Sequence, residues 1–506
     1  FFSISGVLPS DKAIESLKPK QIHSVSNLAN TFANKGKHNW ALKTYEHGQK
    51  INTQHDFGFH LASTYRNMGE TEQMINTYLE LVERNPKHRQ NVQTNLQNTL
   101  ARTKGTSDNF DLLKQKLIKK IQKNNNTDLT EMLVWLFMQS DEFNAAFIYT
   151  KALDKRLNED GTRLYTLATI AHENKAYDTA IKSYQYLVDQ GKENTYYLEA
   201  RILELIAQTE QTLETAHNKK DLERLDNRFQ ETFEELGKNT STAYLIKEYA
   251  HLNGFYLNEP EKAISLLEEA ILLTSFEAEL QAECKLELAD ILLMTENEWE
   301  AILLYSQVEK TLKENPIGHE AKFRRARIAY FQGEMDWAQA QLDVLKASTS
   351  KLIANNAMNL SLLITDNMGL DTSAHAMQMY ARAELLEFQN KLEESVLTLD
   401  SLSNQFTGHS LQDEILFKKA KIAQKQQDYE QAINLFEKVA TNYSYDLLAD
   451  DALFQWAKLT EEYLKEEEKA QSIYEQILVD HSDSIYTTEA RKRFRALRGD
   501  TQNNEL

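Results

Sequence analysis

The chain has 506 residues with only five prolines, 15 glycines and one cysteine. So few turn formers argue against a sheet-rich fold and favour helices joined by short connections, and a lone cysteine excludes an intramolecular disulfide. The formal net charge is −19 but uneven: residues 1–125 carry 18 Lys/Arg against 10 Asp/Glu, and the remainder 39 against 66. That acidic body argues against a general nucleic-acid binder, whose footprint is a basic face. It reads either as a solvated outer surface or as attraction for a basic partner, including the basic end of another copy. No stretch approaches the roughly 18 apolar residues of a membrane span. The opening residues, Phe1 to Leu8, lack the charged start and apolar run of a complete signal peptide.

In chain order, the first unit runs from Leu28-Ala29, Phe32 and Gly36 to Trp40-Ala41, Tyr45 and Gly48, and a second follows with Leu61-Ala62, Tyr65, Gly69, Tyr78 and Pro86. Gly36 and Gly69 fall where a first helix ends and the chain turns back, a place for a left-handed cap. Ala29/Ala41 sets a twelve-residue spacing that recurs at Ala168/Ala180, Ala289/Ala301, Ala326/Ala338 and Ala420/Ala432. Four residues beyond the second alanine stand Tyr45, Tyr184, Tyr305, Leu342 and Phe436. Such a pattern predicts antiparallel helix pairs whose close approach admits only a methyl group.

Thr103–Asn109 and Asn124–Asp128 are predicted polar loops. Between them Phe110, Leu113, Leu117 and Ile121 form an apolar stripe flanked by Lys114, Lys116, Lys119, Lys120 and Lys123. This segment reads either as a repeat helix with a charged outer face or as a basic helix that meets an anionic surface or acidic partner. Tyr197–Thr215 and Leu222–Leu236 form a charged hairpin outside the pattern, a candidate hinge. The pattern resumes from Tyr244, passes a variant stretch through Asp366–Gly369, and ends with Ala457/Ala470, where one extra residue is expected in the Leu464–Lys469 turn. A last helix is predicted over Ile485–Leu497 with Ser484 as its N-cap and Ile485, Ala490, Phe494 and Leu497 facing inward.

These residues together resemble the tetratricopeptide repeat (TPR) family: small and aromatic residues on the first helix, glycine at the turn, Ala and Tyr on the second, proline at the exit. Tyr443–Leu497, with Asn442-Tyr443-Ser444, His481–Tyr486 and Glu489-Ala490-Arg491, resembles the outer-membrane assembly lipoproteins of the BamD type. The whole chain is similar to long envelope-type TPR proteins of Bacteroidota. The resemblance implies an all-α, TPR-like superhelical solenoid of about ten to twelve helical hairpins. Its divisions are expected at 1–192 (first array), 193–240 (irregular hairpin), 241–349 (second array), 350–410 (variant repeats) and 411–506 (C-terminal repeats with a capping helix).

No Gly-rich phosphate loop, HExxH, paired CxxC or Gly-x-Ser-x-Gly is present. His55 and His60 lack a third ligand at metal-binding spacing. His481-Ser482-Asp483 reads as a turn, because a catalytic triad requires spatial geometry rather than adjacency. No catalytic residue, cofactor or metal is therefore expected. Cys284, among Ala282, Leu286, Leu288 and Leu292, reads as a buried thiol. Trp40, Trp299 and Trp337 are expected between hairpins, with Trp135 and Trp456 in the core.

Binding suits such an architecture, because stacked first helices line a groove for a peptide or partner helix. Arg324, Arg327 and Tyr330, with Lys421 and Lys425, offer charged and aromatic contacts on first-helix faces; ion pairs with nearby acids are the alternative. On the last helix Arg491, Lys492, Arg493, Arg495 and Arg498 are expected outward, as a dock for an acidic partner or anionic head groups. The expectation is a non-enzymatic scaffold for a protein or peptide partner in a periplasmic or cell-envelope assembly or secretion complex, with peripheral envelope association. A cytoplasmic peptide-binding co-chaperone or regulator is the alternative. A repeat-bearing enzyme is disfavoured because no second domain remains to hold an active site.

Overall fold

The computed structural model describes residues 10–100, 106–215, 218–368 and 374–499, and among these the chain forms 27 α-helices and no strand. It divides into two compact units, Phe1–Thr232 and Phe233–Leu506. Each is a stack of antiparallel helical hairpins of the TPR-like, solenoid-forming kind.

The first unit begins with the short α1 (Ser10–Glu15). The pairs α2 (Ile22–Asn34) and α3 (His38–Ile51), then α4 (Gly58–Met68) and α5 (Thr71–Arg84), follow. α6 (Arg89–Leu100) and α7 (Thr106–Asn124) pair more loosely. α8 (Thr127–Gln139) with α9 (Phe143–Leu157), and α10 (Thr162–Glu173) with α11 (Tyr177–Val188), restore the regular hairpin. α12 (Tyr197–Glu214) and α13 (Lys219–Leu236) complete the sequence, and the boundary between units lies within α13.

Local chemistry explains the hairpins. Ala29, Ala41, Ala168 and Ala180 are wholly buried, with Tyr45 and Tyr184 filling the space beyond each pair. Gly36 and Gly69 adopt φ of +70° and +77°, the left-handed conformation that ends the first helix and reverses the chain. Asp141 and Lys175 take the same conformation at the corresponding turns, so tertiary packing imposes it even without glycine.

The expected loops shrink. α7 begins at Thr106, inside the predicted Thr103–Asn109 loop, whose first residues lie outside those described. Asn126 caps α8, its side chain accepting from the Leu129 N–H at 3.0 Å, so Thr127 and Asp128 are helical. The basic α7 is a repeat helix with Leu113 and Leu117 buried. Three of its lysines are held within the unit: Lys120 by Glu83 at 2.6 Å, Lys114 by Glu142 at 2.8 Å, and Lys116 by Glu72.

The second unit comprises α14 (Ala243–Phe255) with α15 (Pro260–Leu273), α16 (Ala278–Met294) with α17 (Glu298–Thr311), and α18 (Pro316–Phe331) with α19 (Met335–Leu345). A single helix, α20 (Lys351–Met368), is inserted next. Then come α21 (His375–Phe388) with α22 (Leu392–Gln405), α23 (Gln412–Lys425) with α24 (Tyr429–Asn442), and α25 (Ala449–Leu459) with α26 (Glu467–Asp480). α27 (Thr487–Leu497) packs on α26 as the last helix.

The unpaired α20 changes the parity of the stack. α16 and α18 run parallel, tied by Glu279 to Asn315, the residue just before α18, and by Asp290 to Arg324. α21 runs antiparallel to α18: Tyr330 meets Glu384, while Arg327, one turn earlier, meets Phe388, one turn later. α21 and α23 are parallel again, through Tyr380 to Glu414 and Glu384 to Lys418. One additional helix thus reverses the direction in which later repeats join the inner row.

Three expectations are corrected. Trp299 is 79% exposed and Trp337 39%, rather than packed between hairpins. At about 100° per residue, a side chain two positions before the inward alanine Ala301 faces away, and one position before Ala338 it sits at the edge. Ile485 is 84% exposed and precedes α27, which starts at Thr487. Ser484 accepts from the Tyr486 N–H instead of capping the helix. The extra residue between Ala457 and Ala470 is absorbed by a π-helical turn, Thr460–Leu464, that runs into the expected Leu464–Lys469 turn, where Lys465 is left-handed. Cys284 is buried as expected, and burial pushes its thiol up to about 12.

Candidate functional site

In four helices of the second unit the residue five beyond the buried alanine reaches the same groove. Ala250, Ala326 and Ala383 give Phe255, Phe331 and Phe388 at that position, and Ala420 gives Lys425. These four residues line one groove of about 740 Å³, whose other walls include Phe323, Phe417 and, from α20, Asn356, Asn359, Leu360 and Leu363. α20 carries only two charged residues, Lys351 and Asp366, so its wall is amide and aliphatic.

Arg327 projects into this groove. Its guanidinium lies 5.3 Å from the Phe331 ring and 5.0 Å from Phe388, with no carboxylate at ion-pairing distance among the described residues. Stacking holds the cation in place while leaving its fork of donors for another group. Below it, Tyr330 donates to Glu384 at 2.8 Å, and Lys418 bridges Glu384 at 2.8 Å and Glu387 at 3.0 Å. Burial would raise the Glu384 pKa, but Lys418, Tyr330 and Arg327 together hold it below the usual carboxylate range. Burial pulls Lys418 down, and the two glutamates more than offset this. The floor thus sets two glutamates against Lys418, with the Arg327 guanidinium above them as a second, more distant positive charge.

Glu414 lies at the far end of the groove, accepting from Asn367 of α20 at 3.1 Å. Burial, with Asp413 beside it, raises this carboxyl to about 8.

The residues singled out from sequence divide by environment. Arg327 lines the groove, and Lys425 stands exposed at its edge. Lys421, one turn before Lys425, has its ammonium 5.8 Å from each of the Phe417 and Phe436 rings and no ion-pair partner among the described residues. Burial lowers its pKa. Arg324 is not presented: it pairs with Asp290 at 2.5 Å and Glu320 at 2.8 Å, bracing α18 against α16. Tyr330 is wholly buried and offers no open aromatic platform. On α27, Arg491, Lys492 and Arg495 are exposed, and Arg498 lies 5.3 Å over Phe494. Arg493 turns inward to Glu461, Glu462 and Glu489 instead of facing out, because it follows Ala490 by three residues, on the packed face.

Sequence reasoning missed Phe331, Phe388 and the α20 wall. The alanine-plus-five phenylalanines were a legible signal. The α20 wall was not, since nothing local says that an inserted helix lines the inner row.

The first unit has a groove of similar volume, about 740 Å³, lined by Arg89, Glu131, Met138, Arg163 and Leu167 among others. Its cations are spent: Arg89 pairs with Asp128 at 3.0 Å and with Glu131, and Arg163 with Glu131 at 2.6 Å and with Glu159. Among the described residues no group of three or more His, Cys, Asp or Glu side chains is arranged to hold a metal ion, and no helix is long and apolar enough to cross a membrane.

Two stretches match family models described as tetratricopeptide repeat, residues 59–88, spanning α4 and α5, and residues 414–444, spanning α23 and α24. The chain is similar in structure to yeast Tom70 (14% identity, 96% of this chain and 99% of that one, TM-score 0.33). It is also similar to a tetratricopeptide repeat protein from Parabacteroides merdae (13%, 60% and 98%, TM-score 0.30) and to apo RapI (14%, 69% and 100%, TM-score 0.31). No curated protein matches it in sequence.

Proposed function

We propose that this chain is a non-enzymatic docking scaffold whose second unit holds a segment of a partner protein in the groove between α18, α20, α21 and α23. The observation that carries this reading is Arg327, set against the rings of Phe331 and Phe388 in the groove, with no carboxylate at ion-pairing distance among the described residues. A partner's carboxylate supplies the missing counter-charge, and the phenylalanines take its apolar side chains. The setting proposed is a bacterial envelope assembly or secretion complex, on the resemblance to envelope-type repeat proteins. A cytoplasmic peptide-binding co-chaperone or regulator is the second reading, with the same groove in use.

The test is a photo-crosslinking residue at Asn359, activated in the native host, with and without Arg327→Glu and Lys425→Glu. Adducts with envelope or secretion components that vanish in the double variant support the groove and the setting. Cytosolic adducts that vanish keep the groove and replace the setting. Adducts indifferent to the double variant overturn the groove.

A further inference from the structure

We propose that the outer face of α27 is a second docking surface, built for an acidic helical segment of a partner protein. This goes beyond the groove and does not depend on it. α27 packs through Ala490, Phe494 and Leu497. Its opposite face exposes Arg491, Lys492 and Arg495, none with an ion-pair partner among the described residues. Three carboxylates at this end of the stack are committed to Arg493 instead: Glu461 at 2.8 Å, Glu462 at 3.0 Å and Glu489 at 3.1 Å.

Geometry selects the partner. Arg491 and Arg495 stand four residues apart, about 6 Å along the axis, with Lys492 beside them. A facing helix with glutamates at the same spacing meets each guanidinium with a carboxylate fork, the arrangement in which arginine surpasses lysine. Val479 and Ile485, at the α26–α27 junction, are also exposed.

An anionic bilayer fits less well. The second unit holds 27 Lys/Arg against 47 Asp/Glu, a formal charge of −20. Both partners feel only charges within a screening length of about 8 Å, but an extended anionic surface brings more of that acidic unit within it than a single helix does. α27 also lacks the apolar face that anchors a surface helix, since its apolar residues pack on the stack.

The probe is a labelled, capped peptide helix with glutamate at every fourth position, titrated into the full chain, with its glutamine counterpart as control. Vesicles of phosphatidylcholine with phosphatidylglycerol form a parallel arm. Saturable binding of the glutamate peptide, weakened by salt and by about tenfold or more in Arg491→Glu/Arg495→Glu, supports the proposal. Milder Arg491→Gln/Lys492→Gln/Arg495→Gln repeats the test if charge reversal lowers the melting temperature. Equal binding by wild type and variants overturns it. So does vesicle binding lost in the variants without peptide binding, which makes lipid the ligand. A chain lacking residues 500–506 that gains peptide affinity about tenfold or more also overturns it, making the native occupant the chain's own terminus.

Discussion

Arg493 reaches two adjacent carboxylates from one nitrogen, Glu461 at 2.8 Å and Glu462 at 3.0 Å. It does so because the π-helical turn Thr460–Leu464 carries both glutamates toward α27. The same turn lets Tyr474 donate to Glu461 at 2.7 Å. A one-residue insertion in the repeat is thus the anchor of the last helix. Arg493→Ala leaves three partly buried acids without their cation and is expected to cost about 1–3 kcal/mol. Hydrogen exchange in α25–α27 checks it: exposed Arg491→Ala should change protection little, and equal effects of the two would sink the assignment.

The buried alanines predict a size limit. Ala301 and Ala326 have no exposed surface, so leucine at either forces helices apart and should cost about 1–3 kcal/mol. Thermal melting reads this directly. A tolerated leucine would mean the hairpins approach less closely than the packing shows.

Tryptophan fluorescence separates the two classes of indole. Trp299, on the outward face of α17, should be readily quenched by acrylamide, and Trp299→Ser should shift stability by no more than about 0.5 kcal/mol. Trp456 is buried and should be protected, with a loss of about 3 kcal/mol or more on truncation to alanine. Equal quenching of both would contradict the exposures.

A buried acid in the first unit offers a sharper stability test. Glu204 is 1% exposed and accepts from Arg228 at 3.0 Å and Arg201 at 3.1 Å. Removing it takes a buried carboxylate from two guanidinium groups, and Glu204→Ala should cost about 3–5 kcal/mol. Denaturant unfolding measures it, and a near-neutral result would show the pair to be solvated.

His251 should make stability pH-dependent. Burial lowers its pKa, but the Glu287 carboxylate 2.6 Å from Nδ1, with Glu248 nearby, more than offsets this, so the net shift is upward. A histidine raised in the fold contributes stability that is fully present below its ordinary value near 6.5 and is lost as pH rises through the raised value. The melting difference between wild type and His251→Gln should therefore be largest in acid and shrink in that window. A difference that grows with pH would reverse the sign and refute the ion pair.

The sequence by itself determined the helical repeat. Close helix approach demands Ala at Ala289 and Ala301, and the cavity beyond demands a ring such as Tyr305, so spacing alone exposes the hairpin. It also marked the α27 cations, because a run of basic residues needs no partner to be noticed. Tertiary structure decided which charges are free. Arg324 and Arg327 are three residues apart on one helix, yet Arg324 pairs with Asp290 of α16 while Arg327 lies against the rings of Phe331 and Phe388, with no ion pair among the described residues. That difference is set by helices far away in sequence, and by α20, whose insertion reverses the rows that follow. Periodicity tells which face a residue is on; only packing tells what stands opposite.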